Sequence, residues 1–248
     1  MSADAPERMS VIIPTLDEED CLARTLRSVQ ALDPPAWEVL VVDGGSRDGT
    51  IRIAEAAGAT VLRCARAGRG VQMNAGARAA SGTLLCFLHA DTLIPPDLTR
   101  LAARTLSDHS IACAGFISVM RTGGRVCWVV TAMNLLKTHL APLLFRPLAF
   151  CRGLRLLFGD QVMVLRRETF WADGGFDERL TLLEDGDLCL RIVNQGRLTL
   201  IPRLVESSGR RVRAWGSFRA ITTYLSIGIL WGLGVAPERM RRFYEDVR

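Results

Sequence analysis

The strongest constraint on this chain is a recurring alternation in its first ninety residues. Short apolar runs at 9–13 (MSVII), 38–42 (EVLVV), 59–62 (ATVL) and 83–88 (TLLCFL) are separated by stretches with helical spacing. The runs are too short and too continuously apolar to be half-exposed strands, so they read as buried ones. The first intervening helix places Leu22, Leu26 and Val29 on one face, with Asp17 as its expected cap. The second spans Thr50 to Ala57 and closes at Gly58; the third runs from about Val71 to Ala80 and ends at Ser81-Gly82. The order β-α-β-α-β-α-β predicts an α/β fold, a parallel sheet covered by helices on both faces. Such sheets gather ligands at the carboxyl ends of their strands. Three polar clusters stand at those ends: Pro14-Thr15 with Glu18-Glu19, Asp43-Gly44-Gly45-Ser46, and His89-Ala90-Asp91. They are expected to meet at one rim.

The second half is less regular. Residues 121–158 are apolar, studded with Arg121, Arg125, Lys137, Arg146, Arg152 and Arg155, and interrupted by Pro142 and Pro147. The pattern predicts a helix over 125–140 and then a proline-broken segment. A strand at 161–166, a helical turn at 167–173 and a helix from near Glu184 to Gly196 follow. About half of the 248 residues are hydrophobic and 23% are charged, which supports a folded core and excludes a largely disordered chain. The net charge of +5 is carried by arginine, Lys137 being the single lysine. Genomic bias toward arginine is the plain explanation; a surface for phosphates or anionic lipid is the functional one. The seven cysteines are scattered without a C-x-x-C pair, so they read as reduced core residues, not a disulfide frame or zinc site. Residues 1–8 lack a basic start followed by an apolar stretch, so no signal peptide is expected and the compartment is read as cytoplasmic.

Chemistry concentrates in few residues. Asp91 follows a buried strand and can hold a divalent cation, Mg²⁺ or Mn²⁺, that also carries a diphosphate. His89, two residues earlier, offers an imidazole ligand. The structural alternatives are a helix cap and a hydrogen-bonded core histidine. The loop from Asp43 to Thr50 lacks both the G-x-G-x-x-G spacing and a Gly-Lys-Ser/Thr sequence, so it is neither a dinucleotide fingerprint nor a P-loop. Asp43 can accept hydrogen bonds from a base or ribose. Arg69 can fork onto a phosphate or nucleobase, or be a solvated loop residue. Glu184-Asp185 with Asp187 either complements a helix start or supplies a carboxylate that takes a proton.

Taken in order, these motifs resemble the family 2 glycosyltransferases of the GT-A fold. Val11-Ile12-Ile13-Pro14-Thr15-Leu16-Asp17-Glu18-Glu19 is similar to the family's first strand and loop, and Val41 through Thr50 to its second. Gly68-Arg69-Gly70 leading to Asn74-Ala75-Gly76 is similar to its third. His89-Ala90-Asp91-Thr92 stands at the D-x-D position. Arg166-Arg167, Phe170, Gly174 through Glu178, Glu184-Asp185, Leu190-Arg191 and Gly196 resemble the acceptor half. The segments VDGGS, Gln72 through Ala77, Leu88 through Thr92 and Gly159-Asp160-Gln161 are similar to a bacterial subgroup.

The resemblance implies a Rossmann-like, mostly parallel sheet flanked by helices, with a C-terminal acceptor-side helical region, all in one domain over 1–248. About 9–120 would be the nucleotide-sugar half, about 121–212 the acceptor half and about 213–248 a helical tail. It implies an inverting transfer of one sugar from a nucleotide-sugar donor. Asp185 would be the base and Asp91, with His89, would bind the metal. Pro14, Thr15, Glu18, Asp43, Arg69, Asn74 and Ala90 would hold the nucleotide. Gly159, Asp160, Gln161 and Glu184 would face the donor sugar or acceptor. Three departures qualify this. His89 replaces an Asp, Gly44 replaces an Asp that would contact the base, and the usual Q-x-x-R-W is absent, Leu188-Cys189-Leu190-Arg191 standing after the acidic pair. The last argues for single-sugar transfer over processive synthesis. The competing readings are a sugar-phosphate nucleotidyltransferase and a degenerate nucleotide-sugar-binding protein.

No nucleic-acid partner is expected. Residues 220–236 are almost uncharged but cover only 17 positions, the short limit for a membrane span, and contain Gly228, Gly232 and Gly234. A buried or cleft-covering helix is expected there. With the Arg-studded stretch 134–158 it would suit peripheral contact with an anionic leaflet and a lipid-linked acceptor.

Overall fold

The computed structural model describes residues 7–122 and 124–240. Most of the N-terminal stretch and the last part of the tail, about 241–248, lie outside the described residues. One nine-stranded sheet spans both halves of the chain, in the order β3-β2-β1-β4-β8-β6-β9-β5, with β7 paired to β6. The strands are β1 Met9–Thr15, β2 Glu38–Asp43, β3 Thr60–Arg63, β4 Leu84–Phe87, β5 Thr92–Leu93, β6 Ile111–Thr122, β7 Arg125–Val126, β8 Met163–Arg166 and β9 Arg197–Ser208. The helices are α1 Glu19–Gln30, α2 Thr50–Ala56, α3 Arg69–Ala79, α4 Leu98–Leu106, α5 Trp128–Phe145, α6 Pro147–Cys151, α7 Arg167–Ala172, α8 Glu184–Ile192, α9 Arg210–Trp215, α10 Ser217–Gly232 and α11 Pro237–Met240.

The parallel α/β core is as the sequence predicts. β1 pairs in parallel with both β2 and β4, and β2 with β3. Val11, Ile12 and Ile13 are all fully buried, because helices cover the two faces of β1. One face joins Leu22, Leu26 and Val29 of α1, the other Met73 and Ala77 of α3. β8 then pairs antiparallel with β4 and β6, which ties the second half into the same sheet.

Several expectations are corrected. The sequence reading passes over β6 and β9, which pair in parallel over most of their length. Their register jumps from Phe116↔Ile201 to Ile117↔Leu204, so Pro202 falls in a bulge, where a residue without an N–H is tolerated. The strand expected at 161–166 begins at Met163, because Gly159–Gln161 forms a 3₁₀ turn. Asp17 does not cap α1: it has φ 55° and its carboxylate instead accepts the Arg47 amide at 2.8 Å. The helix expected over 125–140 runs through Pro142 to Phe145. Proline cannot donate to the Thr138 carbonyl, and the Leu156 amide does so at 3.2 Å. Pro147 then opens α6, a position suited to it. Cys151 is exposed, unlike the buried Cys86, Cys113 and Cys189.

Buried Arg166 at the end of β8 donates to the carbonyls of Leu106 and Ile111, each at 2.6 Å, closing α4 and opening β6. Arg166→Leu should leave both carbonyls unpaired and destabilise by roughly 1–3 kcal/mol for each group. Urea unfolding measures this; unchanged stability would show that the two carbonyls do not depend on Arg166.

Candidate active site

The three predicted clusters do converge at the carboxyl ends of β1, β2 and β4. Thr15 and Asp43 are register partners, and the Gly44 amide donates to the Thr15 carbonyl at 2.9 Å. Pro14 is half-buried and Thr15 buried. The buried Asp43 carboxylate accepts from the Gly45 amide at 2.9 Å, the Ser46 amide at 3.0 Å and the Ser46 hydroxyl, so it shapes its own loop. Gln72, which sequence reasoning left out of the site, donates to the carbonyls of Thr15 and Val42, both at 2.7 Å. A Cβ on Gly44 would lie 3.1 Å from the Gln72 amide group. A side chain at position 44 would press on Gln72, which would have to give by a few tenths of an ångström.

Other residues have different placements. Asn74 is buried and spends its amide on the backbone of Phe176, at 2.8 and 3.0 Å, and on Glu178 at 3.0 Å. It clamps the 174–178 turn. Gln161 is fully buried and bonds the Phe158 amide at 2.9 Å and Thr138 at 3.1 Å, so it too supports the loop from inside. Asp160 accepts from Asn134 of α5 at 2.8 Å. The Ala90 carbonyl accepts from Thr25 of α1 at 2.6 Å.

The acidic pair lies at the first turn of α8. Glu184 and Asp185 are only 1% and 4% exposed. Glu184 pairs with Arg69, joining two sites 115 residues apart. Asp185 Oδ2 accepts the Gly159 amide at 2.9 Å, while its Oδ1 is buried without a hydrogen-bond partner among the described residues. Gly159 also packs on His89: a Cβ there would collide with the imidazole. His89, Gly159 and Asp185 thus form one continuous contact. Burial, then the neighbouring Glu184, raises the Asp185 pKa from 3.8 to about 7, while Arg69 and the Gly159 amide oppose the rise. Such a carboxyl group is poised to take up a proton.

Backbone strain gathers around the same segments. Asp17, Val162 and Leu183 have φ of 55°, 53° and 64°. They follow the first strand, the Gly159–Gln161 turn, and precede Glu184, respectively. Each costs about 1–3 kcal/mol, and such strain concentrates where side-chain placement is constrained. Nothing in a Val or Leu residue signals this conformation in a sequence.

Asp91 meets a residue that no sequence pattern singles out. Arg210, at the start of α9, forks onto Glu18 at 2.6 and 2.7 Å and also reaches Asp91 at 3.4 Å. Two carboxylates therefore converge on one cationic group. Among the described residues no three His, Cys, Asp or Glu side chains form a metal cluster. Mg²⁺ or Mn²⁺ held mainly by diphosphate oxygens and water needs only one or two protein carboxylates, a demand that Asp91 could meet once released from Arg210. Beside Asp91 opens a cavity of about 430 Å³ walled by Arg24, Arg121, Arg210 and Arg213 with Ser207 and Thr122.

Residues 10–171 match the family described as glycosyl transferase family 2. The chain belongs to this family. An uncharacterized glycosyltransferase of Mycobacterium tuberculosis is 33% identical over 100 residues, 40% of this chain and 44% of that protein. A glucosyl-3-phosphoglycerate synthase of Mycolicibacterium paratuberculosis is 33% identical over 103 residues, 38% of this chain and 31% of that one. The matches thus span less than half the length of these curated relatives. Among solved structures, a mannosyltransferase from Pyrobaculum calidifontis with GDP-Man and Mn²⁺ is similar at TM-score 0.69 and 21% identity, covering 88% of this chain and 61% of that one. Glucosyl-3-phosphoglycerate synthase from Mycobacterium tuberculosis with Mn²⁺, UDP and phosphoglyceric acid is similar at TM-score 0.65 and 21% identity, covering 93% and 80%. These likenesses establish the GT-A fold for the family 2 chain.

With its carboxyl raised to about 7, Asp185 in the folded chain should keep its proton across the range from pH 3.8 to about 7, where the unfolded chain has already released it. The chain's stability should therefore fall as pH rises across that window and level off above it. Asp185→Asn removes the titration. Its melting temperature should exceed that of the wild type at pH 8, with the gap narrowing toward pH 4. A gap independent of pH would contradict the raised pKa.

Proposed function

We propose that this enzyme is an inverting, divalent-metal-dependent glycosyltransferase that moves one sugar from a nucleotide-sugar donor to an acceptor hydroxyl. The observation that carries this reading is Asp185: buried, held through one oxygen by the Gly159 amide, and raised to a pKa of about 7. The relatives crystallised with GDP-Man, or with UDP and phosphoglyceric acid, support donors of this class.

In this reading Asp185 takes the proton of the acceptor hydroxyl as its oxygen attacks the anomeric carbon. The bond to the nucleoside diphosphate breaks on the opposite face, so configuration inverts. Pro14, Thr15, Glu18, Asp43 and the Ala90 backbone form the nucleotide side. Gly159, Asp160 and Glu184 form the sugar and acceptor side, and Arg69 links the two through Glu184. A divalent cation on Asp91, with His89 as a further ligand, would neutralise the departing diphosphate. Arg210 must yield Asp91 for this to happen, and the neighbouring arginine-walled cavity can take its guanidinium or a phosphate. A cytoplasmic setting suits seven free thiols. The acceptor we propose is lipid-linked, because α10, which packs Trp231 on Gly186 beside Asp185, also exposes apolar residues on its outer side.

Asp185→Asn should lower transfer roughly 10²–10⁴-fold while nucleotide binding persists. In the wild type, kcat should rise with pH through about 7 and then level, as the base loses its resting proton. Full turnover in Asp185→Asn would remove that residue from the mechanism. Asp91→Ala should abolish the enhancement of nucleoside diphosphate binding by Mn²⁺ in calorimetry, and His89→Ala should reduce it less. Equal Mn²⁺ dependence in Asp91→Ala and wild type would sink the metal assignment.

A further inference from the structure

We infer that α5 and α10 together form a docking face for an anionic bilayer surface. α5 has an unusual distribution of polarity. Its buried face carries the polar Thr131, Asn134 and Thr138 beside Val130 and Pro142, while Val129, Leu136, Leu140 and Leu143 recur at helical spacing on its exposed face. A helix serving only a water-soluble core has the opposite distribution. The inward polar groups have specific work, Asn134 binding Asp160 and Thr138 binding Gln161.

α10 lies alongside. Val130 and Ala220 share one cluster, the Lys137 ammonium sits 5.2 Å from the Tyr224 ring centre, and a Cβ on Gly232 would come within 2.6 Å of Phe145. The two helices therefore meet at their starts, middles and ends. α10 also exposes an apolar stripe, Phe218, Leu225 and Ile229, continued by Leu233 beyond its end. Exposure reaches 70% at Trp128, the first residue of α5, 78% at Leu148 of α6 and 82% at Phe218 of α10. Contiguous apolar surface of this kind marks an interaction site.

Charge selects the partner. Residues 109–159 and 207–237 contain no Asp or Glu, yet carry ten Arg and Lys residues. Exposed Arg125 and Arg146 flank α5, and exposed Arg213 and Arg219 stand at the start of α10. A second copy docking through the same patch would set arginine against arginine. A leaflet with acidic headgroups over acyl chains complements both features. Among the described residues no helix is long and apolar enough to cross a membrane, so the contact is with a surface. Trp231 of α10 packs on Gly186, the residue after Asp185, where a Cβ would lie 2.6 Å from the indole. α10 therefore connects the docking face, on its outer side, to the first turn of α8, on its inner side.

This extends the lipid-linked reading above, but its test needs neither donor nor acceptor, so either can fail alone. The chain is mixed with phosphatidylcholine vesicles, with or without phosphatidylglycerol, and sedimented at low and high salt. It should sediment with the anionic vesicles at low salt and be partly released by high salt. Leu140→Glu with Ile229→Glu should lower the partition about tenfold or more, with an unchanged circular-dichroism melt showing that the fold is intact. Arg146→Glu with Arg219→Glu should remove the salt-sensitive part. Absence of sedimentation with anionic vesicles at low salt would overturn the inference. So would a dimer that the Leu140→Glu, Ile229→Glu pair disrupts, in a chain that ignores vesicles.

Discussion

The chemistry of this chain depends on β1 being buried on both faces between β2 and β4. Parallel pairing on either side aligns three strand ends, so Thr15, Asp43 and the His89–Asp91 segment arrive at one rim without long connections. The loops there are then locked by short-range bonds: Gln72 over Gly44, Asp17 onto the Arg47 amide, Asp43 onto Ser46. A rigid rim is suited to a ligand that must be held at several points at once. The second half supplies what the rim lacks. β8 inserts beside β4 and β6, and the loop between α6 and β8 carries Gly159 to His89 on one side and Asp185 on the other.

The cost of the arrangement is concentrated around α8. Two carboxylates are buried at adjacent positions, and among the described residues only Glu184 has an arginine to pair with. Asp185 is left with one amide donor, and its preference for the protonated state follows from that shortage of compensation. The left-handed Leu183 just before the pair, and Val162 just after the Gly159–Gln161 turn, show the backbone bent to bring these groups together.

Much of this was legible in the sequence, and the limits have physical causes. The four buried strands at the start announce themselves because continuous apolar runs between helical patterns permit few other folds. The family motifs fixed Asp91, Asp185 and the rim residues as candidates. β9 stayed hidden because its alternating exposure is interrupted by Pro202, which only the bulge opposite β6 accommodates. Asn74 and Gln161 look like ligand-facing amides in a sequence; only the structure shows their amides consumed inside the protein. Arg210 could not be selected, since its partners Glu18 and Asp91 lie far away in the chain and a lone arginine in an arginine-rich tail carries no pattern. The unusual polarity of α5 was likewise invisible, because its composition alone does not say which face turns inward.

The contact between Trp231 and Gly186 has an optical consequence. Glycine leaves no side chain between the indole and the first turn of α8, so the ring rests against the peptide that follows Asp185. Indole emission shifts with the electric field across the ring, and a carboxylate gaining or losing charge one residue away changes that field. Trp231, one of five tryptophans, therefore stands as a native chromophore between α10 and the first turn of α8. With the other four replaced by Phe, its emission would register both the ionisation of that turn and any displacement of α10, with no label attached.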